Sequence, residues 1–135
     1  MLQTLQAALA SLTLVLSALQ AQAAELPKLS PLEQWVEDLA MCESGDNPNA
    51  LNPKDPITRS VGWLQFKDAT FLREARLQSF YPKETTDKEI LSHIWEQHTQ
   101  KVMAIGMITR NYENWRAWTN CVLKGGVGKP PKTEN

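Results

Sequence analysis

The chain has 135 residues and a formal net charge of −1, from 14 basic and 15 acidic side chains. This length allows one small domain, and a hydrophobic content of 42% is that of a globular protein, which excludes a disordered or fibrous chain. Nucleic-acid binding usually needs a basic face, and the balanced charge argues against it.

The first 24 residues contain no charged side chain. Within them, Ala7–Leu19 is an apolar run, and Ala21-Gln22-Ala23 has the small-x-small pattern that signal peptidase cuts. The run is shorter than the about 20 apolar residues that a membrane span needs, so we expect residues 1–23 to be a signal peptide and the protein to be exported. Because no Lys or Arg precedes the run, an uncleaved anchor or an amphipathic helix is the alternative.

The first helix of the expected domain has a clear start signal. The capping box Ser30-Pro31-Leu32-Glu33 predicts a helix that begins at Pro31 and runs to about Cys42 or Glu43. Turn-forming residues follow it. Further along, Ser60–Phe66 is short and apolar, and periodicity leaves it open between a strand and a turn of helix.

The next helices are also predicted from their capping residues. Asp68 or Thr70 can cap a helix that ends near Leu77. A second capping box at Thr86 opens a long helical stretch to roughly Arg110. Its apolar positions cover so wide an arc that we expect this helix to be the central one.

The end of the chain predicts a short helix followed by a tail. Residues 111–123 favour a final helix, and residues 125–135 read as a flexible tail. No repeat or domain boundary is present, so residues 24–124 are expected to form one domain. The fold class is mainly α, with a short β element possible near Ser60.

Cys42 and Cys121 are the two cysteines of the chain. In an oxidising compartment a bridge between them would close a loop of roughly 80 residues and stabilise the domain by about 4 to 5 kcal/mol. Their spacing matches no zinc motif. We expect a disulfide, with two unpaired core thiols as the alternative.

No metal or organic cofactor is expected. His93 and His98 are five residues apart, which separates them by about 140° around a helix, so they do not share a ligand face. The residues around them match neither of the helical zinc-binding patterns with two histidines.

Glu43 is the candidate catalytic residue because of its place at the end of the first predicted helix. A carboxylate there meets the negative end of the helix dipole, and partial burial adds desolvation; both effects raise the pKa of a carboxyl group. A carboxylic acid kept neutral near physiological pH can serve as a general acid. The alternative is a solvated glutamate at a frayed helix end.

The residues after Glu43 extend this candidate into a motif. They read E-S-x-x-N-x-x-A-x-N from Glu43 to Asn52, followed by Gly62-x-Leu64-Gln65. The motif resembles the lysozyme-like superfamily, which includes lytic transglycosylases and the goose-type and hen-type lysozymes. The resemblance implies a lysozyme-like α+β fold with a sugar-binding cleft around a central helix. It also implies a monomer that cleaves the bond between MurNAc and GlcNAc in peptidoglycan strands.

The same resemblance implies the roles of individual residues. Glu43 would protonate the glycosidic oxygen, and Ser44 would orient Glu43 or a sugar group. The expected substrate-binding residues are Ser44, Asn52, Ser60, Trp63, Gln65 and Tyr112. Among the five tryptophans, Trp63 is the one expected to reach the cleft, while Tyr112 would stand in for a tyrosine of the lytic transglycosylases.

One departure from the hen-type pattern bears on the reaction. Hen-type lysozymes have an aspartate at the position of Ser60, and a retaining hydrolase needs two carboxyl groups about 5 Å apart. Lytic transglycosylases use one glutamate, because the C6 hydroxyl of the substrate attacks C1 and leaves a 1,6-anhydro product. We therefore expect transglycosylase chemistry.

Three alternatives stay open. Asp46 or Asp55 could position water for an inverting hydrolysis. The protein could also bind peptidoglycan without turnover, since a fold does not guarantee an activity. Finally, a small helical interaction protein could match the motif by chance.

Overall fold

The computed structural model describes residues 27–53 and 58–132. The predicted signal peptide and Asp55 lie outside these residues. In chain order the elements are α1 (Pro31–Ser44), β1 (Leu51–Asn52), β2 (Ser60–Val61), β3 (Phe66–Lys67), α2 (Asp68–Leu77), α3 (Asp87–Leu91), α4 (Gln97–Arg110), a 3-10 helix (Tyr112–Trp118) and a π-helix (Asn120–Lys124). The described part is thus mainly α with a small antiparallel sheet, as the sequence predicts.

Helix α1 begins where the capping box predicts. The backbone N–H of Glu33 donates to the Ser30 hydroxyl at 3.2 Å. The helix continues to Ser44, one residue beyond the predicted end, and stops at Gly45, whose φ of 64° favours glycine. Glu43 therefore lies in the last turn of α1.

Strands β2 and β3 lie at the two ends of Ser60–Phe66, the segment that the sequence left open between strand and helix, and β1 precedes it. The strand order of this short sheet is β1-β2-β3, and both pairings are antiparallel. Ser60 lies directly opposite Asn52 on one side and Lys67 on the other. Directly opposed residues of antiparallel strands point to the same face of the sheet. Asn52, Ser60 and Lys67 therefore form one row, called here the polar row.

The start of α2 differs from the prediction. Its N-cap residue is Lys67, which makes no side-chain capping bond, and Asp68 is already helical. The Asp68 carboxylate is held instead by Arg59, through Nε and Nη2 at 3.0 Å each. These hydrogen bonds raise the pKa of the Arg59 guanidinium above its ordinary value. The end of α2 at Leu77 is as predicted.

The single long helix predicted from Thr86 to Arg110 is wrong, because the structure divides it into α3 and α4. Thr86 caps α3 as expected and accepts a hydrogen bond from the backbone N–H of Glu89 at 3.2 Å. The Ser92 hydroxyl then donates to the carbonyl of Glu89 at 2.5 Å and satisfies an acceptor at the helix end. Helix α4 packs against α1, α2 and the 3-10 helix, and so takes the central place that the sequence assigns to the whole stretch.

The side chain of Gln100 joins α4 both to the sheet and to the break that precedes α4. It is fully buried. Its Oε1 accepts from the backbone N–H of Leu64 at 2.7 Å, and its Nε2 donates to the carbonyls of Val61 and Ile94 at 3.0 and 2.6 Å. Ile94 lies in the break, so a side chain provides the bond that a continuous helix would have made. A Cβ at Gly62 would lie 2.5 Å from Nε2, and the φ of 80° there also favours glycine.

A buried carboxylate connects α2 to α4. Glu74 is 1% exposed. Nη2 of Arg110 lies 2.6 Å from both of its carboxylate oxygens, and the amide of Gln78 donates to it at 3.2 Å. Because the charge is paired and hydrogen-bonded, its burial is tolerated between the two helices.

The predicted disulfide is present between Cys42 and Cys121, whose Cα atoms are 5.9 Å apart. It joins the last turns of α1 to the π-helix across 79 residues of chain. Such a bond is typical of an oxidising, exported environment. In the described part of the chain, no helix is both long enough and apolar enough to cross a bilayer.

Within the segment that the sequence predicts to be a flexible tail, residues up to Lys132 contact the rest of the fold. The indole N–H of Trp35 donates to the carbonyl of Gly128 at 2.9 Å. The Tyr112 hydroxyl donates to the carbonyl of Pro130, also at 2.9 Å, and Pro130 itself is buried. These bonds hold the segment against α1 and the 3-10 helix. Residues 133–135 lie outside the described part.

Loss of the disulfide should destabilise the fold strongly. We expect Cys42→Ser combined with Cys121→Ser to lower the free energy of unfolding by about 4 kcal/mol, because a loop of this length is no longer closed in the unfolded chain. Urea unfolding with and without a thiol reductant measures the effect. The reductant should destabilise the wild type and leave the double variant unchanged; an equal response of both would contradict the structure.

Replacing Gln100 by leucine should cost at least about 3 kcal/mol of stability, because three buried backbone groups each lose a partner worth about 1 to 3 kcal/mol. Urea unfolding measures the loss. Gln97→Leu, on the exposed first turn of the same helix, is the control and should change stability by no more than about 0.5 kcal/mol. Similar losses for the two variants would show that the buried amide has no special role.

Candidate functional site

A cleft of about 370 Å³ brings Glu43 together with residues from distant parts of the chain. The sheet side, formed by β2, the following turn, β3 and the start of α2, contributes Ser60, Gln65, Phe66, Lys67 and Thr70. The helical side, formed by the 3-10 helix and the residues after it, contributes Arg116, Ala117, Trp118, Thr119 and Asn120. Glu43 lies where the end of α1 meets the two sides.

Glu43 lies at the end of a helix and on the border of the cleft. Its side chain is half-buried, in the last turn of α1, where the helix dipole places its negative end. The neighbouring Cys42 is bonded to Cys121, so this turn is covalently joined to the helical side of the cleft. Among the described residues that line the cleft, Glu43 is the one with a carboxyl group.

The polar row places one of the predicted substrate-binding residues, Ser60, in the lining of the cleft, where it is buried (2% exposed), while Asn52 lies outside the lining. Ser60 and Lys67 line the cleft. Asn52 is the third member of the row and is exposed, so it extends the same face beyond Ser60. The register of the sheet therefore aligns the predicted pair, Asn52 and Ser60, with a lysine that no motif indicates.

Ser44 contacts protein backbone. Its hydroxyl lies 2.7 Å from the carbonyl of Trp63 and 3.1 Å from that of Ala40, and accepts from the backbone N–H of Asn47 at 3.0 Å. It does not line the cleft. Of its two expected roles, the contacts favour orientation of Glu43, because they hold the end of α1 against the turn after β2.

Gln65 lines the cleft in a strained conformation. Its φ is 54°, in the left-handed region that residues with a Cβ seldom adopt. Its side-chain amide donates to the carbonyls of Gly62 and Ala50 at 2.9 and 3.2 Å, and these bonds hold the turn in place. Strain of this kind costs about 1 to 3 kcal/mol and is common at binding sites.

Trp63 corrects one of the predictions. Its side chain is fully buried, so the indole face that was expected to stack on a sugar is closed off. Its Nε1 donates instead to Oδ1 of Asp46 at 2.7 Å. Because Asp46 lies two residues after the end of α1, this bond fixes the loop behind Glu43. The same hydrogen bond occupies the Asp46 carboxylate, which would have to position water in an inverting hydrolysis.

Tyr112 is the second correction. It does not line the cleft. Its hydroxyl is bonded to Pro130, and Nζ of Lys132 lies 5.4 Å from the centre of its ring. Tyr112 therefore contacts the C-terminal segment. It is the first residue of the 3-10 helix, and the cleft is reached by later residues of that helix, Arg116 to Trp118.

Several cleft residues carry no recognisable sequence signal, namely Lys67, Thr70, Arg116, Thr119 and Asn120. Thr119 and Asn120 precede Cys121, so the expected disulfide with Cys42 was the one available sign that they lie near Glu43. The others reach the site through the sheet register and the packing of the 3-10 helix, which sequence patterns do not indicate.

A second cavity, of about 570 Å³, lies at the other end of α2 and is lined by Ala75, Arg76, Ser79, Tyr81, Lys83 and Ile90. It contains none of the predicted site residues and no carboxyl group among its described lining. The cleft at Glu43 is smaller, but it is the candidate site because its lining includes a carboxyl group and predicted site residues.

No group of three or more His, Cys, Asp or Glu side chains is placed to hold a metal ion within residues 27–53 and 58–132. His93 contacts Glu96, with Nδ1 and Oε2 2.7 Å apart. This contact lowers the pKa of the Glu96 carboxyl below its ordinary value. His98 is exposed on the first turn of α4.

Removing the acceptor of the Trp63 bond should destabilise the loop behind Glu43. We expect Asp46→Ala to lower the free energy of unfolding by about 1.5 to 3 kcal/mol, because the buried indole N–H loses a charged partner. Asp46→Asn should cost less, since it keeps an oxygen acceptor and tolerates the φ of 63° found at this position. Chemical unfolding of both variants is the measurement, and equal losses would contradict this assignment.

Comparisons with known proteins identify no family for this chain. No family model, curated protein or solved structure matches it. The resemblance to the lysozyme-like superfamily therefore depends on the motif between Glu43 and Gln65. A function has to be argued from those residues and from the geometry of the cleft.

Proposed function

We propose that the protein cleaves the β-1,4 bond between MurNAc and GlcNAc in peptidoglycan, with Glu43 as its single general acid. The observation that carries the proposal is a cleft in which a half-buried glutamate at a helix end is surrounded by neutral and basic polar side chains. Such an acid can protonate a poor alkoxide leaving group, and the neutral polar groups can bind sugar hydroxyl and acetamido groups.

Glu43 would act twice in the proposed reaction. It first gives its proton to the glycosidic oxygen as the bond from C1 to that oxygen breaks. The C6 hydroxyl of the same MurNAc then attacks C1, and the Glu43 carboxylate takes the hydroxyl proton. The product carries a 1,6-anhydro ring, no water is consumed, and Glu43 returns to its starting protonation state.

Ser60 supports this chemistry over a retaining hydrolysis. It lines the cleft at the position where hen-type lysozymes have an aspartate. A retaining mechanism needs a second carboxyl group about 5 Å from the acid, and no second carboxyl group is present among the described lining residues. An attacking hydroxyl from the substrate removes the need for one.

Inverting hydrolysis is the alternative within the same enzyme class. It needs a carboxylate that positions water, and the Asp46 carboxylate is bonded to Trp63 and does not line the cleft. Asp55 lies outside the described residues. If Asp46 were the base, Asp46→Asn would lose cleavage; we expect it to keep activity, because its amide oxygen still accepts the Trp63 bond.

Digestion of purified peptidoglycan by the oxidised protein tests the proposal. We expect fragments that end in 1,6-anhydro-MurNAc, identified by mass spectrometry. Glu43→Gln should lower the rate by about 10²- to 10⁴-fold, because general acid catalysis contributes that much, and should leave the unfolding curve unchanged. Glu84→Gln, an exposed glutamate on the loop before α3, is the control and should cleave like the wild type.

Other outcomes would decide between the alternatives. Reducing ends in place of anhydro ends would identify a hydrolase. Binding of peptidoglycan without release of any fragment would identify a binding protein. Substantial activity in Glu43→Gln would refute its role as the acid.

A further inference from the structure

Three parts of the chain form the cleft, and two pairs of these parts are joined at the end of α1. The disulfide from Cys42 to Cys121 joins this helix end to the helical side. The Ser44 hydroxyl, 2.7 Å from the carbonyl of Trp63, joins it to the sheet side. Two links that meet at one helix end leave the two sides free to pivot about it. A third link, between the two sides themselves, is needed to fix the width of the cleft.

Trp118 supplies this third link. It is the last residue of the 3-10 helix, and it lines the cleft. Its indole N–H donates to the carbonyl of Leu64 at 2.9 Å, and both residues are buried. Leu64 lies in the turn that follows β2 and directly precedes Gln65. The bond therefore runs from the helical side to the turn that carries Gln65 into the cleft.

The Trp118 ring also contacts the sheet side. Its centre lies 5.7 Å from that of Phe66, and the two ring planes are nearly perpendicular. Phe66 lines the cleft as well. Edge-to-face contacts of this kind are favourable between aromatic rings. The indole is thus held against the sheet side by a directional hydrogen bond and by ring packing.

The peptide group of Leu64 shows what the indole N–H does for the turn. The Leu64 N–H donates to Oε1 of Gln100 at 2.7 Å, and the Leu64 carbonyl accepts from Trp118. A buried acceptor that loses its partner is destabilised, so without the indole N–H we expect this turn to shift. Gln65 follows directly, with a φ of 54°, and would shift with it.

We propose that Trp118 is a positioning residue that fixes the width of the cleft. The proposal rests on the proposed function, because the width matters for a strand that the sheet side binds and Glu43 protonates. Thr119 and Asn120 line the cleft between Trp118 and Cys121, so links at both ends hold this segment. A displacement of about 1 Å can lower the rate of an enzyme reaction by about 100-fold. Trp118 acts through the turn that it anchors and not on the reacting atoms.

Trp118→Phe tests the proposal, because it keeps an aromatic ring and removes the N–H. With soluble peptidoglycan strands as substrate, we expect kcat to fall by about 10-fold or more and KM to change by less than about 3-fold. The groups that bind the strand are still present in this variant. The alignment of the strand with Glu43 is lost, and that alignment affects the chemical step.

Trp35→Phe is the matched control. The Trp35 indole is also buried and also donates to a backbone carbonyl, that of Gly128, at 2.9 Å, but it does not line the cleft. Its ring centre lies 6.2 Å from that of Trp118, and the substitution keeps a ring at this position. We expect urea unfolding to show a similar loss of stability for the two variants. Under conditions where both are folded, Trp35→Phe should keep the kcat of the wild type.

Amide hydrogen exchange measures the anchoring of the turn without any cleavage. The backbone N–H groups of Leu64 and Gln65 are both hydrogen-bonded. In Trp118→Phe we expect these two amides to exchange about 10-fold or more faster, relative to amides in the middle of α4, because the turn opens more often. In Trp35→Phe they should exchange as in the wild type.

The outcomes separate the role of Trp118 from the proposed function. Equal losses of kcat in the two variants, or unchanged exchange at Leu64 and Gln65 in Trp118→Phe, would overturn the positioning role. Faster exchange at these amides without cleavage by the wild type would refute the proposed function and leave the anchoring of the turn standing. If Trp118→Phe does not fold, benzothienylalanine at position 118 takes its place, since this analogue keeps both rings and has sulfur instead of the N–H.

Discussion

The buried amide of Gln100 is the contact on which the sheet side of the cleft depends. Its three hydrogen bonds join α4 to the turn after β2 and close the break before α4. That turn carries Gln65 into the cleft and places Trp63 beneath the loop that follows α1. The burial of this polar side chain is tolerated because both its oxygen and its nitrogen are hydrogen-bonded to backbone groups. The Gln100 amide also lies so close to position 62 that a side chain there would collide with it, so this position requires glycine.

The end of α1 is held on two sides, and both attachments serve Glu43. On the helical side, the disulfide from Cys42 connects this turn to the π-helix. On the sheet side, Ser44 and Asp46 bind Trp63, one through its backbone carbonyl and the other through its indole N–H. A general acid loses much of its effect when it is misplaced by 1 Å, so a rigid setting at a helix end is what the proposed chemistry requires.

The cleft combines residues of the motif between Glu43 and Gln65 with residues that lie outside it. Lys67 and Arg116 belong to the second group, and both line the cleft. In the proposed function the acid and the side chains that surround the substrate thus come from different elements that meet in one cleft.

The sequence by itself determined the features that depend on local chemistry. Capping residues predicted the starts of α1 and α3, and the place of Glu43 at a helix end followed from them. Because the chain has two cysteines, the sequence predicted the disulfide between Cys42 and Cys121. The tertiary structure decided what depends on distant contacts. The structure breaks the predicted long helix and bonds Gln100 to the carbonyl of Ile94 in that break. It buries the Trp63 indole, which is bonded to Asp46, and it bonds the Tyr112 hydroxyl to Pro130 outside the cleft. The places of Lys67 and Arg116 in the cleft depend on strand register and helix packing. Burial and hydrogen bonding depend on residues that are far apart in the chain, so local sequence patterns do not predict these contacts.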